Sequence, residues 1–360
     1  MLRTRSALYL AVSAFVAAAC GNEATSTTLP KVVTTPSFTT GNPVNTGSKE
    51  AYTLAVFGDF PYGPAKLADA PGLFALINSD PKVDIVVHLG DIKAGSNSPC
   101  TTAYFDTIRT LFATFKDPLV YTPGDNEWVD CHVASKNNGL FTPTERLQTV
   151  RSMFFPVAGQ TIGGRKKQVL TEADDPANSA FVENVMWQES QIVFATLNLQ
   201  GSNDDLAPWG TPLPADAGNY PSQADERKAR VQADQAWLTK AFNLAQATGA
   251  PGIVLMFQAD MWDATAALSG FDDIVKQIGN LAIGYGKPVL ILEGDSHVFR
   301  VDQPFTPASP LFSLHPGTPV APNVTRLVVE GSAGRTEYVR LTVDPKTETL
   351  FFWERVPLHP

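Results

Sequence analysis

The sequence predicts an α/β fold in which helices cover β-sheets that are buried on both faces. Strand-like and helical segments alternate between residues 52 and 154, an order that gives a parallel sheet with right-handed crossovers. The C-terminal segments 325–330, 337–343 and 349–354 alternate apolar and polar residues, as antiparallel strands do. Four apolar runs end in a glycine–aspartate turn, at Asp59, Asp91, Asp125 and Asp295.

The first half of the chain is predicted as three strand–helix units. Each strand is a short apolar run without clear alternation, which is typical of a strand covered on both faces. A helix between two such strands provides the crossover that a parallel pair needs. The predicted strands cover 52–58, 83–89 and 118–122, and the predicted helices cover 66–78, 102–115 and 144–154.

The second half returns to this pattern after a middle section of different character. Segments 182–187 and 191–199 are predicted as a strand pair, and the Gly-, Pro- and Asp-rich segment 200–222 as a loop. A long helix is predicted over 225–246, because its apolar residues recur at helical spacing. The remaining elements are strand 252–257, helix 263–279 and strand 288–293.

The four glycine–aspartate turns predict a metal site. A glycine before the aspartate lets the backbone turn sharply at the strand end. Ligands of such sheets bind outside the carboxyl ends of the strands. Four aspartates that meet there repel one another strongly unless cations lie between them. The alternative for any single turn is a solvated loop or a helix N-cap.

The turns and their neighbours form an ordered set of motifs. They read Gly58-Asp59-Phe60-Pro61, Gly90-Asp91-Ile92-Lys93-Ala94, Gly124-Asp125-Asn126-Glu127, Gln258 within segment 256–260, and Gly294-Asp295-Ser296-His297. The set resembles the calcineurin-like metallophosphoesterase superfamily, which includes the purple acid phosphatases. The resemblance extends from Thr53 to Glu354, with the chain as a divergent member. It implies a four-layer α-β-β-α sandwich of two mixed sheets.

Several positions depart from the motifs of that superfamily. Pro61 stands at the first-motif histidine and cannot ligate a metal, and Ala94 stands where an aspartate or tyrosine is usual. Gln258 replaces a lone histidine, and Asp295 replaces the first histidine of the last motif. Oxygen donors thus take the place of imidazoles, and oxygen-rich sites suit Mg, Mn or Ca better than Zn or Fe. We therefore predict two divalent cations of the former kind.

The resemblance also implies which residues hold these cations. Asp91 would bridge the two positions. For Gln258, a satisfied polar residue at a strand end is the alternative to a ligand. One cation would be bound by Asp59, Asp91 and His297, and the other by Asp91, Asp125, Asp295 and Gln258.

The activity implied by the resemblance is metal-dependent hydrolysis of a phosphomonoester or phosphodiester in a small phosphorylated substrate. Asn126 and Lys93 would hold phosphate oxygens. Asn126 stands at the family's catalytic histidine and cannot act as an acid, so His132 is the candidate proton donor. The alternative for Lys93 is a counter-charge to the aspartates, and the alternative for His132 is an exposed loop residue. His88, inside an apolar strand, is predicted to be a hydrogen-bonded core residue.

The competing function is that of a non-catalytic, lipid-anchored protein that keeps the fold and binds a ligand or partner. The missing histidines favour it, whereas the retained aspartates oppose it. A net charge of −9 over 360 residues argues against sequence-independent binding of nucleic acid, which needs a basic face.

The N-terminal region predicts export. Residues 1–19 combine two arginines with an apolar stretch too short to span a membrane, and they read as a lipoprotein signal peptide cleaved before Cys20. Lipidation of Cys20 would then be the only attachment to the membrane. Residues 20–49 are predicted to be a disordered tether and 50–360 a single domain. The protein would lie in the cell envelope, periplasmic or at the outer surface; the alternative is an ordinary secretory signal.

Two further cysteines, Cys100 and Cys131, follow the second and third glycine–aspartate turns. In an exported protein two cysteines tend to pair, so a disulfide is predicted between the two loops. The alternatives are free thiols or a zinc site, and two cysteines without nearby histidines make a poor zinc site.

Overall fold

The computed structural model describes residues 42–137 and 139–359. Its strands form two mixed sheets. The first has six strands in the order β13-β12-β1-β2-β3-β4, and the second has seven in the order β10-β11-β9-β8-β7-β6-β5. The strands are β1 (Tyr52–Phe57), β2 (Ile85–His88), β3 (Pro118–Tyr121), β4 (Ile162–Gly163), β5 (Leu170–Thr171), β6 (Val185–Glu189), β7 (Ile192–Thr196), β8 (Ile253–Met256), β9 (Val289–Glu293), β10 (Arg300–Asp302), β11 (Val324–Val328), β12 (Glu337–Val343) and β13 (Phe351–Pro357).

Three apolar cores separate four layers. Alternate residues of β1 show the pattern, since Leu54 and Val56 pack in the core between the two sheets, whereas Ala55 and Phe57 pack in the core under the helices of the first sheet. The third core lies between the second sheet and its own helices. Both faces of the central strands are therefore buried, which explains their continuous apolar runs. The predicted α-β-β-α sandwich of two mixed sheets is confirmed.

Strand direction places the strand ends that carry the aspartates together. In the first sheet β1, β2 and β3 are parallel, and in the second sheet β7, β8, β9 and β11 are parallel. The outer strands β4, β5, β6, β10, β12 and β13 are antiparallel to their neighbours. The carboxyl ends of the parallel strands are thus the edge from which the glycine–aspartate turns extend.

Four of the five predicted helices lie close to their predicted bounds, whereas the fifth is displaced and the short helix Ala134–Asn137 was not predicted. The helix predicted over 263–279 begins only at Asp272. Asp263 instead closes a turn by accepting hydrogen bonds from the backbone N–H and hydroxyl of Thr265. Side-chain acceptors of this kind compete with helix formation. The helices span Gly63–Ser79, Thr102–Phe112, Ala134–Asn137, Pro143–Phe154, Gln223–Thr248 and Asp272–Tyr285.

Residues just before the predicted domain boundary at residue 50 contact the second sheet. Val44 forms a parallel bridge with Gln188, and the Asn45 backbone N–H donates to the Gln188 carbonyl at 2.9 Å. The predicted signal peptide, the lipidation site Cys20 and most of the predicted tether lie outside the described residues. Within the described part of the chain, no helix has the length and apolar character needed to cross a membrane.

The predicted disulfide is confirmed. Cys100 and Cys131 are bonded, with their Cα atoms 5.8 Å apart, and both are buried. The bond joins the loop after β2 to the 3-10 turn Val129–His132 after β3. These are the loops that follow Asp91 and Asp125, so the crosslink limits how far the two loops can separate.

Candidate functional site

Five of the sequence-predicted metal ligands converge on one place. They form two groups within which the ligand atoms all lie within 4.8 Å of one another. The first ligand group is Asp59, Asp91 and His297, and the second ligand group is Asp91, Asp125 and Asp295. Asp91 belongs to both groups. This arrangement has the connectivity that two neighbouring cations with one shared ligand require.

The backbone at the strand ends adopts left-handed angles, and this conformation sets the direction of the ligand side chains. Asp59, Asp91, Asp295 and His297 all have φ between 50° and 67°. Such angles are uncommon outside glycine, and Asp, Asn and His tolerate them better than most residues. Gly124 is needed for a different reason, because a Cβ there would collide with the Asp91 carboxylate. The geometry of the turns is therefore tied to the packing of the carboxylates.

Backbone hydrogen bonds connect the two sheets at the site. The Asp295 N–H donates to both Asp59 carboxylate oxygens at 3.0 Å, although the two residues are 236 positions apart. The Asp59 N–H donates to the Gly90 carbonyl at 2.9 Å. The Asn126 N–H donates to Asp91 Oδ1 at 3.1 Å. Each loop thus fixes a carboxylate or a turn of another loop, and the site depends on both sheets.

The buried carboxylates of the site repel one another electrostatically. Burial raises the pKa of Asp59, Asp91 and Asp295, and the neighbouring charge of Asp125 raises the last two further. Burial, with the charge of Asp130, raises the pKa of Asp125 to about 7. Burial lowers the pKa of His297, but the hydrogen bond and charge of Asp59, whose Oδ1 lies 3.3 Å from Nε2, outweigh it and raise that pKa. A positive charge between these groups would relieve the repulsion.

A family model for the calcineurin-like phosphoesterases matches residues 52–299, which is more than half of the chain. The chain belongs to the calcineurin-like phosphoesterase family. The matched range starts at the first residue of β1 and ends two residues beyond His297, so it contains all five converging ligands. Among curated proteins, none matches the sequence.

Two solved structures are similar to this phosphoesterase-family chain at low identity. One is GAP50, described as the anchor in the inner membrane complex of Plasmodium, with 9% identity, a TM-score of 0.43, and 86% of this chain and 90% of that chain covered. The other is the sulfate thiohydrolase SoxB of Thermus thermophilus in complex with glycerol, with 12% identity and a TM-score of 0.42. That comparison covers 90% of this chain and 58% of that chain. Both similarities are too distant to transfer functional detail.

The donors fit the two metal ions that the phosphoesterase family usually binds. The second ligand group offers only carboxylate oxygens, which suit Mg, Mn or Ca. The first ligand group adds one imidazole nitrogen from His297. The donor set therefore agrees with the predicted shift towards oxygen, with a single nitrogen donor retained.

Gln258 lies beside the Gly201 loop, and its role as a metal ligand stays a prediction. Its Oε1 accepts the Gly201 N–H at 2.6 Å, and its buried Nε2 has no hydrogen-bond partner among the described residues. The Nε2 group is a donor, and Oε1 keeps a second lone pair besides the one that accepts the Gly201 N–H. Gln258 therefore fixes the Gly201 loop against the site and leaves an N–H group for another acceptor.

Lys93 is buried and does not serve the site as the phosphate contact that was predicted. Its ammonium group donates to the carbonyls of Ala94 and Asn126 at 2.7 and 2.9 Å, and to Asn137 Oδ1 at 2.9 Å. All three of its donors are thus used by protein oxygens. Lys93 supports the loops beside the disulfide.

Of the two other predicted catalytic residues, the structure brings only Asn126 into the cluster. The Asn126 side-chain amide donates to Asp91 Oδ2 at 2.5 Å and to the Tyr62 hydroxyl at 2.9 Å. His132 instead pairs its Nδ1 with the Val129 carbonyl at 2.7 Å and lies beside Gly210. Its described contacts do not include the carboxylate cluster.

Among the described residues, two side-chain hydroxyl groups that sequence reasoning missed donate to the cluster. The Tyr62 hydroxyl donates to Asp91 Oδ2 at 2.6 Å, and the Ser202 hydroxyl donates to Asp125 Oδ2 at 2.6 Å. Tyr62 could have been found, because it follows the first motif directly. Ser202 lies in the long loop after β7, where nothing in the sequence distinguishes it from its neighbours.

Proposed function

We propose that this protein is a metal-dependent phosphoester hydrolase that acts on a small phosphorylated substrate. The observation that carries the proposal is the pair of ligand groups that share Asp91, at the carboxyl ends of parallel strands, in a chain of the calcineurin-like phosphoesterase family. Two divalent cations in such a site supply Lewis acidity that activates water and clamps phosphate oxygens.

The chain itself offers groups that can orient a phosphate. The Gln258 Nε2 and the Ser296 hydroxyl are buried atoms without a hydrogen-bond partner among the described residues. Ser296 lies between the ligands Asp295 and His297, and Gln258 contacts the glycine next to the second ligand group. Unsatisfied buried donors are costly unless an acceptor is bound. Phosphate oxygens are acceptors of the required kind.

A second candidate function is that of a non-catalytic family member that binds a ligand. It is favoured by Asn126, which stands at the family's catalytic histidine and cannot transfer a proton to a leaving group. Its amide is held by Asp91 and Tyr62. The two candidates differ in turnover.

Replacement of Asp91 by Asn tests the proposal. We expect the full chain with Mn²⁺ or Mg²⁺ to hydrolyse p-nitrophenyl phosphate or bis(p-nitrophenyl) phosphate. Asp91→Asn should lose bound metal and at least about a hundredfold in turnover, since it removes the shared charge, a loss of about 2.7 kcal/mol of transition-state stabilisation. Metal content by mass spectrometry and release of nitrophenol are the measurements.

Asp106→Asn is the matched control, because Asp106 is exposed and pairs only with nearby Arg109 in the described contacts. It should retain wild-type metal content and turnover. Metal bound by the wild-type protein without turnover on either ester would refute the hydrolase and support the ligand-binding alternative. A wild-type protein without metal would refute the metal-dependent hydrolase.

A further inference from the structure

A cavity of about 170 Å³ lies between the turn Gly201–Asp205 and the helices Gln223–Thr248 and Asp272–Tyr285. None of the described residues that line it is one of the five converging metal ligands, so the cavity is separate from the metal site. An apolar wall favours a ligand with a hydrocarbon part. The apolar part of this wall is formed by Leu199, Leu206, Val231 and Ile274.

Asp234 contributes an unsatisfied acceptor to the cavity wall. Its side chain is fully buried, and its Oδ1 accepts hydrogen bonds from the Asn184 amide at 2.8 Å and the Asn198 backbone N–H at 3.1 Å. Its Oδ2 has no hydrogen-bond partner within the described chain, and Arg230 Nη1, at 3.9 Å, is too far away to donate to it. A buried carboxylate oxygen without a donor is costly, so the cavity favours a ligand that donates hydrogen bonds.

The charges around the cavity favour a cationic ligand. In the part of the chain that the structure describes, three carboxylates and one guanidinium group line the cavity, from Asp204, Asp234, Asp273 and Arg227. Arg227 and the buried Arg230 both pair with Asp204, at 3.4 and 2.5 Å. Asp234, by contrast, has no cation at hydrogen-bond distance. A positive charge beside Asp234 would reduce the repulsion among these carboxylates.

An organic cation suits this cavity better than a metal ion. Among the described residues, the groups of side chains close enough together to hold a metal ion are the two ligand groups that share Asp91, and the carboxylates of the cavity form no such group. An apolar cavity of about 150 Å³ binds benzene, so a volume of this order corresponds to a ligand of about six non-hydrogen atoms.

We propose that the cavity binds a small aliphatic ammonium ion, whose N–H groups donate to Asp234 Oδ2 and whose alkyl chain contacts the apolar wall. The ligand is recognised by its charge, its hydrogen-bond donors and its hydrocarbon chain together. The proposal goes beyond the hydrolase function and does not rest on it, because no metal ligand and no phosphoester takes part.

Binding of n-butylammonium to the full chain tests the proposal. Mg²⁺ is added in excess to occupy the carboxylates of the metal site, so that the amine does not bind there. A ligand-observed NMR titration should give a millimolar or tighter Kd, the range open to a ligand of about five non-hydrogen atoms.

The matched ligand is n-butanol, which has the same shape without the charge. It should bind at least about tenfold more weakly, because hydrogen bonds to a carboxylate are stronger when the donor is charged. Equal affinity for the two ligands, or no saturable binding of the amine, would overturn the proposal.

Replacement of Asp234 by Asn tests the residue. The change keeps an oxygen for the two N–H donors and places an NH₂ group where Oδ2 was, so Asp234→Asn should bind n-butylammonium at least about tenfold more weakly. Asp273→Asn is the matched control, since its side chain lines the same cavity but is 84% exposed. It should change the affinity by less than about twofold, because solvent screens its charge. Equal losses in the two variants would show that general surface charge attracts the amine and would overturn the proposal.

Replacement of Val231 by Phe separates binding in the cavity from a change in folding. Val231 is half-buried and lines the cavity, so the larger ring should fill part of the volume and weaken binding at least about tenfold without removing a charge. Thermal unfolding of both variants should be as cooperative as that of the wild type. Should Asp234→Asn fail to fold, unchanged affinity in Val231→Phe would still overturn the proposal. No substrate enters these measurements, so amine binding and phosphoester turnover can each fail without the other.

Discussion

At the scale of the residue, His88 connects the first two loops of the site through the buried sheet. Its Nε2 pairs with the Phe60 carbonyl at 2.8 Å, and its Nδ1 accepts the Gly90 N–H at 3.1 Å. These partners require the neutral ring with its proton on Nε2, because a second proton would face the Gly90 N–H. Phe60 and Gly90 adjoin Asp59 and Asp91, so the ring supports two ligands without touching a cation. The predicted core role of His88 is confirmed.

Protonation of His88 should therefore destabilise the folded protein. Burial lowers its pKa from 6.5 to about 4. The unfolded state then binds more protons between those values, and stability falls as the pH drops from about 6.5 towards 4, by about 3 kcal/mol. Urea unfolding at several pH values should give the free energy of unfolding as a function of pH. His88→Asn, although less stable, should lack the part of this pH dependence that His88 contributes. His359→Gln, at an exposed position, should keep the wild-type slope; an unchanged slope in His88→Asn would contradict the assignment.

Single residues also mark how far sequence reasoning can reach. The positions of the aspartates were predictable, because a residue directly after a parallel strand lies at the edge formed by the carboxyl ends of the strands. Lys93 and Gln258 were not, since their side chains are directed by Asn137 and Gly201, which are distant along the chain. A motif specifies the loop, and the partners of the side chain specify its direction.

At the scale of the element, the turn Gly201–Asp205 is the least predictable part of the site. Four consecutive residues, Ser202 to Asp205, have φ between 54° and 58°. A left-handed turn of L-residues costs about 1–2 kcal/mol per residue. Arg230 offsets part of this cost by bonding Asp204 Oδ1 at 2.5 Å, and Trp209 bonds Asp205 Oδ1 at 2.7 Å. Propensity and periodicity contain no signal for such a turn, which exists because distant side chains hold it.

The turn presents the Ser202 hydroxyl to Asp125, so Ser202→Ala should weaken cation binding at the second ligand group. Loss of an outer contact to a ligand typically costs about 10–100-fold in metal affinity. Calorimetric titration with Mn²⁺ should show a drop of about tenfold at one of two sites. Ser269→Ala is the control, since Ser269 accepts a bond from Asn203 on the other side of the same turn. Equal affinities in the two variants would contradict the role given to Ser202.

At the scale of the whole molecule, the site joins the two sheets. Asp59, Asp91 and Asp125 follow strands of the first sheet, whereas Asp295 and His297 follow β9 of the second. The parallel strand–helix units could be predicted, because buried apolar runs and crossovers leave few alternatives, and the four layers were implied by the resemblance to the metallophosphoesterase superfamily. The contact between the sheets at the site could not be predicted, since it depends on hydrogen bonds such as that from Asp295 N–H to Asp59.

Removal of metal should therefore destabilise the entire domain, and more so at neutral pH. In the metal-free protein the pKa of Asp125 is raised from 3.8 to about 7, so the folded state binds more protons than the unfolded state within that window. This contribution to stability is present at low pH and is lost as the pH rises through about 7. Bound cations replace those protons, and a free cation concentration about a hundredfold above Kd adds about 2.7 kcal/mol to the free energy of unfolding.

Thermal unfolding with Mn²⁺ and with EDTA should give Tm values that differ more at pH 7 than at pH 5, while Asp91→Asn shows a smaller difference at both. Equal Tm values at pH 7 with Mn²⁺ and with EDTA would show that no cation links the sheets.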